Sequence, residues 1–129
     1  MSKVIGIRIG LKNSCVGVWR NNKVEIIPNE RGQNKTPSVV SFEGKERLVG
    51  QEAKEKMTKN YKNTVYDAKR LIGRRFNDKI VQENMKRWPF KVEKDEKSDR
   101  AVIVVDYLGE KKRFLPEEIS AMVLSKMKK

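Results

Sequence analysis

The residues whose types and spacing could do chemistry lie near the start of the chain, in Gly6-Ile7-Arg8-Ile9-Gly10-Leu11-Lys12-Asn13-Ser14-Cys15-Val16-Gly17. Apolar residues alternate with Gly6, Arg8 and Gly10 on one side of this segment. They alternate again from Ser14 to Arg20 on the other. That pattern predicts two strands joined by a glycine-containing turn. Such a turn can aim backbone N–H groups at a phosphate, because donors left out of the ladder form an anion-binding concavity. Gly10 has no Cβ and lets the backbone approach closely. Arg8 and Lys12 could hold phosphate oxygens without a metal, Arg8 through a bidentate guanidinium. A purely structural hairpin is the plainer reading of the same glycine.

Other chemistries are excluded by residue type. Cys15 is the only cysteine, so no intramolecular disulfide can form, and histidine is absent. A structural zinc centre and a His-based catalytic triad are therefore ruled out, and no metal site is expected. Met1-Ser2-Lys3-Val4 starts no long apolar stretch, so no signal peptide is expected. No apolar run reaches the ~20 residues that span a bilayer. A reducing, cytoplasmic location and no membrane partner are the expectation.

The chain has 129 residues, enough for one domain or part of a larger one. Lys plus Arg is 30 and Asp plus Glu is 17, so the net charge is 30 − 17 = +13. A charge of that sign favours polyanions, nucleic acid among them. The basic residues are dispersed, however, with small groups at Lys69-Arg70, Arg74-Arg75, Lys111-Lys112-Arg113 and Lys126 to Lys129. A generally basic, solvated surface is the plain alternative.

The elements that must position the hairpin read as strands first and helices later. Val4 to Gly10, Ser14 to Arg20 and Lys23 to Pro28 predict a three-stranded meander, with Asn21-Asn22 as a tight turn. Glu30 to Lys35 is a loop, and an apolar run after Pro37 ends at a Glu43-Gly44-Lys45 turn. Gln51 to Tyr61 is expected as a surface helix. Thr64 to Ile72 places Val65, Ala68, Leu71 and Ile72 at helical spacing, with Gly73 as a stop. Ile80 to Met85 predicts a short helix. Phe90 to Val92 and Ala101 to Leu108 predict strands joined through Glu93 to Arg100, and Gly109-Glu110 turns into Lys111 to Leu115. Pro116, Glu117 and Glu118 are helix-start residues, and Ile119, Met122, Val123 and Met127 form the apolar stripe of a last helix.

Longer stretches carry a family resemblance. The hairpin, Gly17-Val18-Trp19-Arg20-Asn21, Val24 to Asn29, Thr36-Pro37-Ser38 and Arg47-Leu48-Val49-Gly50 resemble the start of the seventy-kilodalton heat-shock chaperones. The resemblance continues through Asn63 to Arg74, Trp88-Pro89-Phe90-Lys91-Val92 and Pro116 to Ser120, in register over nearly the whole chain. It implies an α/β fold, a partial actin-like, ribonuclease-H-like ATPase lobe with an antiparallel-rich sheet and flanking helices. On that reading residues 1–129 are a single partial nucleotide-binding lobe. Residues 1–37 are its base, 38–113 its upper subdomain, and 114–129 a helix returning to the base. The implied cofactors are ATP or ADP with Mg²⁺.

The resemblance assigns roles by position. Lys69 matches the family's catalytic lysine, where a cation stabilises charge on the transferring phosphoryl group. Gly10, Leu11, Lys12 and Asn13 match the first phosphate loop. Arg70, Arg74 and Trp88 match structural or interdomain positions. The family loop reads Asp-Leu-Gly-Thr-Thr, where this chain has Arg8-Ile9-Gly10-Leu11-Lys12. Arg8 thus stands in place of the acid that organises Mg²⁺, and both threonine hydroxyls are gone. The second phosphate loop, the adenosine site, the second lobe and the peptide-binding domain are expected beyond the chain's end.

Three functional readings follow. The first is a truncated chaperone-like protein, a partial ATPase lobe unable to hydrolyse ATP alone. The second is a module that binds itself or a protein partner through uncovered apolar faces of the sheet and last helix. The third is a basic polyanion-binding protein. Unfolded peptides are expected as partners only of a longer chain.

Overall fold

A computed structural model describes residues 4–127. Met1 to Lys3, and the Lys128 and Lys129 that close the basic C-terminal group, lie outside the described residues. The expected meander is present. Strands β1 (Val4–Ile9), β2 (Asn13–Arg20) and β3 (Lys23–Ile27) pair antiparallel in that order. Asn21 and Asn22 have φ of 53° and 60°. Asparagine tolerates that left-handed geometry, which suits a two-residue hairpin turn to the strand twist. A short β4 (Thr36–Pro37) pairs with Asn13 and Ser14 of β2, just beyond the Val16–Arg20 stretch that β3 occupies. It therefore braces β2 at its hairpin end.

Two further three-stranded antiparallel sheets complete the architecture. One has the order β6 (Glu46–Val49), β5 (Val40–Glu43), β7 (Thr64–Val65); the other has β10 (Glu110–Phe114), β9 (Ala101–Tyr107), β8 (Lys91–Lys94). The helices are α1 (Gln51–Glu55), α2 (Lys79–Met85) and α3 (Pro116–Met127). The fold is thus α/β, antiparallel-rich with flanking helices.

The main core lies between the second and third sheets, α2 and α3. Ala101 to Val105 of β9 are all buried, and Phe42 is stacked on Phe114 and edge-on to Tyr107. Ile119 and Val123 of the α3 stripe are buried, and Met122 and Met127 pack against the same cluster. The meander contributes nothing to that cluster among the described residues. Of its large apolar side chains, Ile5 is 61% and Val24 63% exposed. Trp19 and Ile26 are exposed too. The expectation of uncovered apolar surface therefore fits the sheet. It does not fit the α3 stripe, whose residues face the core.

Two predicted helices are corrected. Thr64 to Ile72 is not a helix. It is β7, a left-handed Asp67 (φ 58°), a 3₁₀ turn at Ala68–Arg70, and then Gly73 at φ 76°. β-Branched Thr64 and Val65 pair with Ser41 and Val40, and the Thr64 hydroxyl donates to the Asn60 carbonyl at 2.7 Å. Asp67 accepts from the Trp88 indole at 3.3 Å and pairs with Arg70. Those long-range partners override the helical spacing of Val65, Ala68 and Leu71, which are buried nonetheless. Gln51 to Tyr61 is helical only to Glu55, with Ala53 as its one buried residue. So short an apolar stripe does not hold a longer helix on the surface. A strand unmarked by any apolar alternation, β6, pairs with β5 through the Gly44 turn.

Candidate functional site: the β1–β2 hairpin

The turn between β1 and β2 is built by a close approach of backbone to backbone. The Gly10 N–H donates to the Asn13 carbonyl at 3.0 Å. A Cβ on Gly10 would lie 2.6 Å from that oxygen, closer than real Cβ contacts. Gly10 is thus required by the turn itself and not by a positive φ. The Ser38 N–H donates to the Lys12 carbonyl at 2.9 Å, and the hydroxyls of Ser14 and Ser38 share a bond of 2.7 Å. Ser14 is 1% exposed, so this bond satisfies a polar group that water cannot reach. Among the described residues, the Leu11 and Lys12 N–H groups have no hydrogen-bond partner. They are donors that the turn leaves unpaired.

Two cavities share Gly10 and Leu11 and divide the predicted site between them. One, of about 230 Å³, is lined by Arg8, Lys12, Asn13, Ser14, Cys15 and Lys35 as well. The other, of about 10 Å³, is a cleft among Ile9, Ser38, Ala68, Lys69 and the α3 residues Ile119, Ser120 and Val123. The Lys69 ammonium donates to the Ile9 carbonyl at 3.1 Å. The structure therefore brings Lys69 to the hairpin across sixty residues of sequence, but into the narrow cleft and not into the cavity of Arg8 and Lys12. Of the other positions, Trp88 is buried and stacked on Phe90, while Arg70 and Arg74 pair with Asp67 and Asp78.

Arg8 lies directly across the ladder from Cys15. Lys35 precedes Thr36, which pairs with Ser14, so the β2–β4 register brings a third cation to the same cavity. The Asn29 side chain fixes that approach by donating to the Lys35 carbonyl at 3.2 Å and to Thr36 Oγ1 at 3.1 Å. Neither Lys35 nor the Ser14–Ser38 pair stands out in the sequence. Only the pairing of β4 with β2 reveals them, and a two-residue strand has no periodicity to read.

The donor set decides what this cavity suits. Arg8, Lys12 and Lys35 have no carboxylate partner among the described residues, and no carboxylate lines the cavity. Mg²⁺ takes oxygen ligands, usually with one or two carboxylates. Three cations and a buried hydroxyl do not fit it. They do fit an anion, to which the Leu11 and Lys12 N–H groups can also donate.

A larger, mostly apolar groove of about 310 Å³ runs from Ile5, Ile7 and Val16 past Ile27 and Pro28 to Met127. No helix of the described residues is long and apolar enough to cross a membrane.

Residues 4–129 match the protein family described as Hsp70 protein. The heat shock cognate 70 kDa protein 3 of Dictyostelium discoideum is 57% identical over 124 residues, 96% of this chain and 20% of that protein. The heat shock 70 kDa proteins of Emericella nidulans and Trichophyton rubrum are each 52% identical over 128 residues, 99% of this chain. The aligned residues are 20% and 19% of those two proteins. The chain thus spans about a fifth of the length of the curated relatives it matches.

Proposed function

The chain belongs to the Hsp70 family, as the N-terminal part of its actin-like ATPase domain, and on that premise we propose that it does not hydrolyse ATP by itself. Proteins of this family bind ATP or ADP with Mg²⁺. The observation that carries the proposal is the cavity beside the hairpin, where Arg8, Lys12 and Lys35 converge and no carboxylate lines the wall. A cation at Arg8 repels a metal at the position where the family places an acid. The Leu11 and Lys12 side chains supply no hydroxyl to phosphate or metal.

Lys69 supports the same reading. Its ammonium is engaged by the Ile9 carbonyl, in a cleft apart from the cationic cavity. Phosphoryl transfer relies on holding the reacting groups together in one geometry, and catalysis comes largely from that placement. Here the lysine and the cations of the larger cavity lie on two sides of one turn. Within this reading residues 1–37 form the base of the lobe, 38–113 its upper part and 114–129 the returning helix. Client peptides are partners of the family as a whole.

The test is a phosphate-release assay on the purified chain with ATP and Mg²⁺. Release at the background rate is expected. Turnover above background that disappears in Lys69→Ala would overturn the proposal.

A further inference from the structure

We propose that the cavity on the Arg8 side of the hairpin is a metal-independent site for an oligophosphate group. Three observations converge on it. Its cations come from three separate segments, Arg8 from β1, Lys12 from the turn and Lys35 from the strand end that β4 fixes. None of the three is neutralised by an ion pair among the described residues, although the chain forms such pairs widely elsewhere. The two N–H groups of Leu11 and Lys12 are left over by the turn. Guanidinium, ammonium and peptide N–H together are the donors that bind phosphate oxygens, and Arg8 can do so bidentately.

The size of the cavity narrows the ligand class. Its volume of about 230 Å³ lies below the roughly 300–1,000 Å³ of pockets that enclose a drug-sized molecule. It can take a phosphate tail and leave a nucleoside outside. Inorganic tripolyphosphate and the tail of a nucleoside triphosphate share that chemistry. Two phosphates or more are needed to engage cations arriving from both edges of β2.

The metal dependence is the distinctive consequence. A site that recognises the phosphate chain with its own cations competes with Mg²⁺ for the same oxygens. Adding Mg²⁺ should therefore weaken binding, where a carboxylate-organised site would need it. The inference rests on the three cations without ion pairs and the two unpaired N–H groups among the described residues, and not on the absence of turnover. Hydrolysis of ATP would sink the functional reading and leave this one standing.

The experiment titrates the 129-residue chain with inorganic tripolyphosphate, once in EDTA and once in excess Mg²⁺. Heat is one readout, and the alkylation rate of Cys15, the only thiol and a lining residue, is the other. Saturable binding in EDTA, weaker binding in Mg²⁺ and slowed alkylation are expected. Lys35→Ala should weaken binding by about tenfold or more, the scale of one charged hydrogen bond. Arg8→Asp should abolish it. Lys111→Glu in β10 makes the same change in net charge as Arg8→Asp and should leave binding intact. ATP should bind as tripolyphosphate does. Binding that needs Mg²⁺, that survives Arg8→Asp, that is lost equally in Lys111→Glu, or that ATP alone shows would overturn the proposal. Equal affinity for a single-stranded oligonucleotide would do so as well, since dispersed charge would then suffice.

Discussion

Replacing Gly10 by alanine tests how the hairpin is held together. The new Cβ would sit 2.6 Å from the Asn13 carbonyl oxygen, a backbone atom that cannot swing aside like a side-chain end. The turn must open, and the 3.0 Å Gly10 N–H bond to that oxygen goes first. Moving Asn13 also drags the adjoining Lys12 carbonyl from the Ser38 N–H, now at 2.9 Å. Each such bond contributes about 0.5–1.5 kcal/mol net. Alanine returns about 0.4–1 kcal/mol by narrowing the unfolded ensemble. The net expectation is a destabilisation of about 1–2 kcal/mol. For a chain of this size that lowers the melting temperature by roughly 3–10 °C.

Gly6→Ala is the matched control, because its Cβ would meet nothing within 4 Å. It should be neutral or slightly stabilising. The assay is thermal unfolding of both variants beside the parent, followed by far-UV circular dichroism and by tryptophan fluorescence, since Trp19 lies in the same meander. If Gly10→Ala melts within a degree of Gly6→Ala, the turn is not built on the Gly10–Asn13 approach, and its assignment as a rigid set of donors fails with it.

Two other predictions follow from local geometry. Leu108 is half-exposed and held at φ 57° before Gly109, also left-handed, in the β9–β10 turn; Leu108→Asn should stabilise the chain by about 0.5–1 kcal/mol, read as a rise in urea midpoint at constant slope. The Glu93 carboxyl is lowered below the usual glutamate range first by its hydrogen bond from Lys91 and further by Arg113. A lowered folded-state value means that this contribution is present above the unfolded value and is lost as pH falls through the folded one. Stability between neutral and acid pH should therefore fall less steeply in Glu93→Gln; an unchanged slope would show that the Lys91–Glu93–Arg113 cluster does not couple to folding.

What the sequence reveals of the fold depends on how local the cause is. The β1–β3 meander was legible because alternation and the Asn21-Asn22 turn are both short-range signals. α3 was legible from Pro116, the two glutamates and the stripe; the Leu115 N–H indeed donates to Glu118 Oε1 at 2.9 Å. Thr64 to Ile72 misled because spacing of three and four marks burial on one side, whatever backbone carries it. Asp67 could not be read as a left-handed break, since its partners Trp88 and Arg70 matter only once Trp88 has packed on Phe90. The same limit hid Lys35, whose place is set by two residues of β4.

The site shows a sharper version of that limit. Residue types suggested the hairpin as a place for phosphate, and family resemblance brought Lys69 toward it. Neither could say on which side of the turn each group stands, because sidedness in a strand alternates with every residue. Arg8 and Ile9 are neighbours in sequence, so their side chains face opposite ways: Arg8 lines the cavity of Lys12 and Lys35, and Ile9 lines the cleft of Lys69. A substitution at Arg8 thus changes the lining of the larger cavity and leaves the lining of the Lys69 cleft as it is. It follows that restoring an acid by Arg8→Asp would remove the proposed anion site without moving Lys69 out of its cleft. A return of Mg²⁺ binding in that variant without a return of turnover would separate the two defects, one of charge and one of placement.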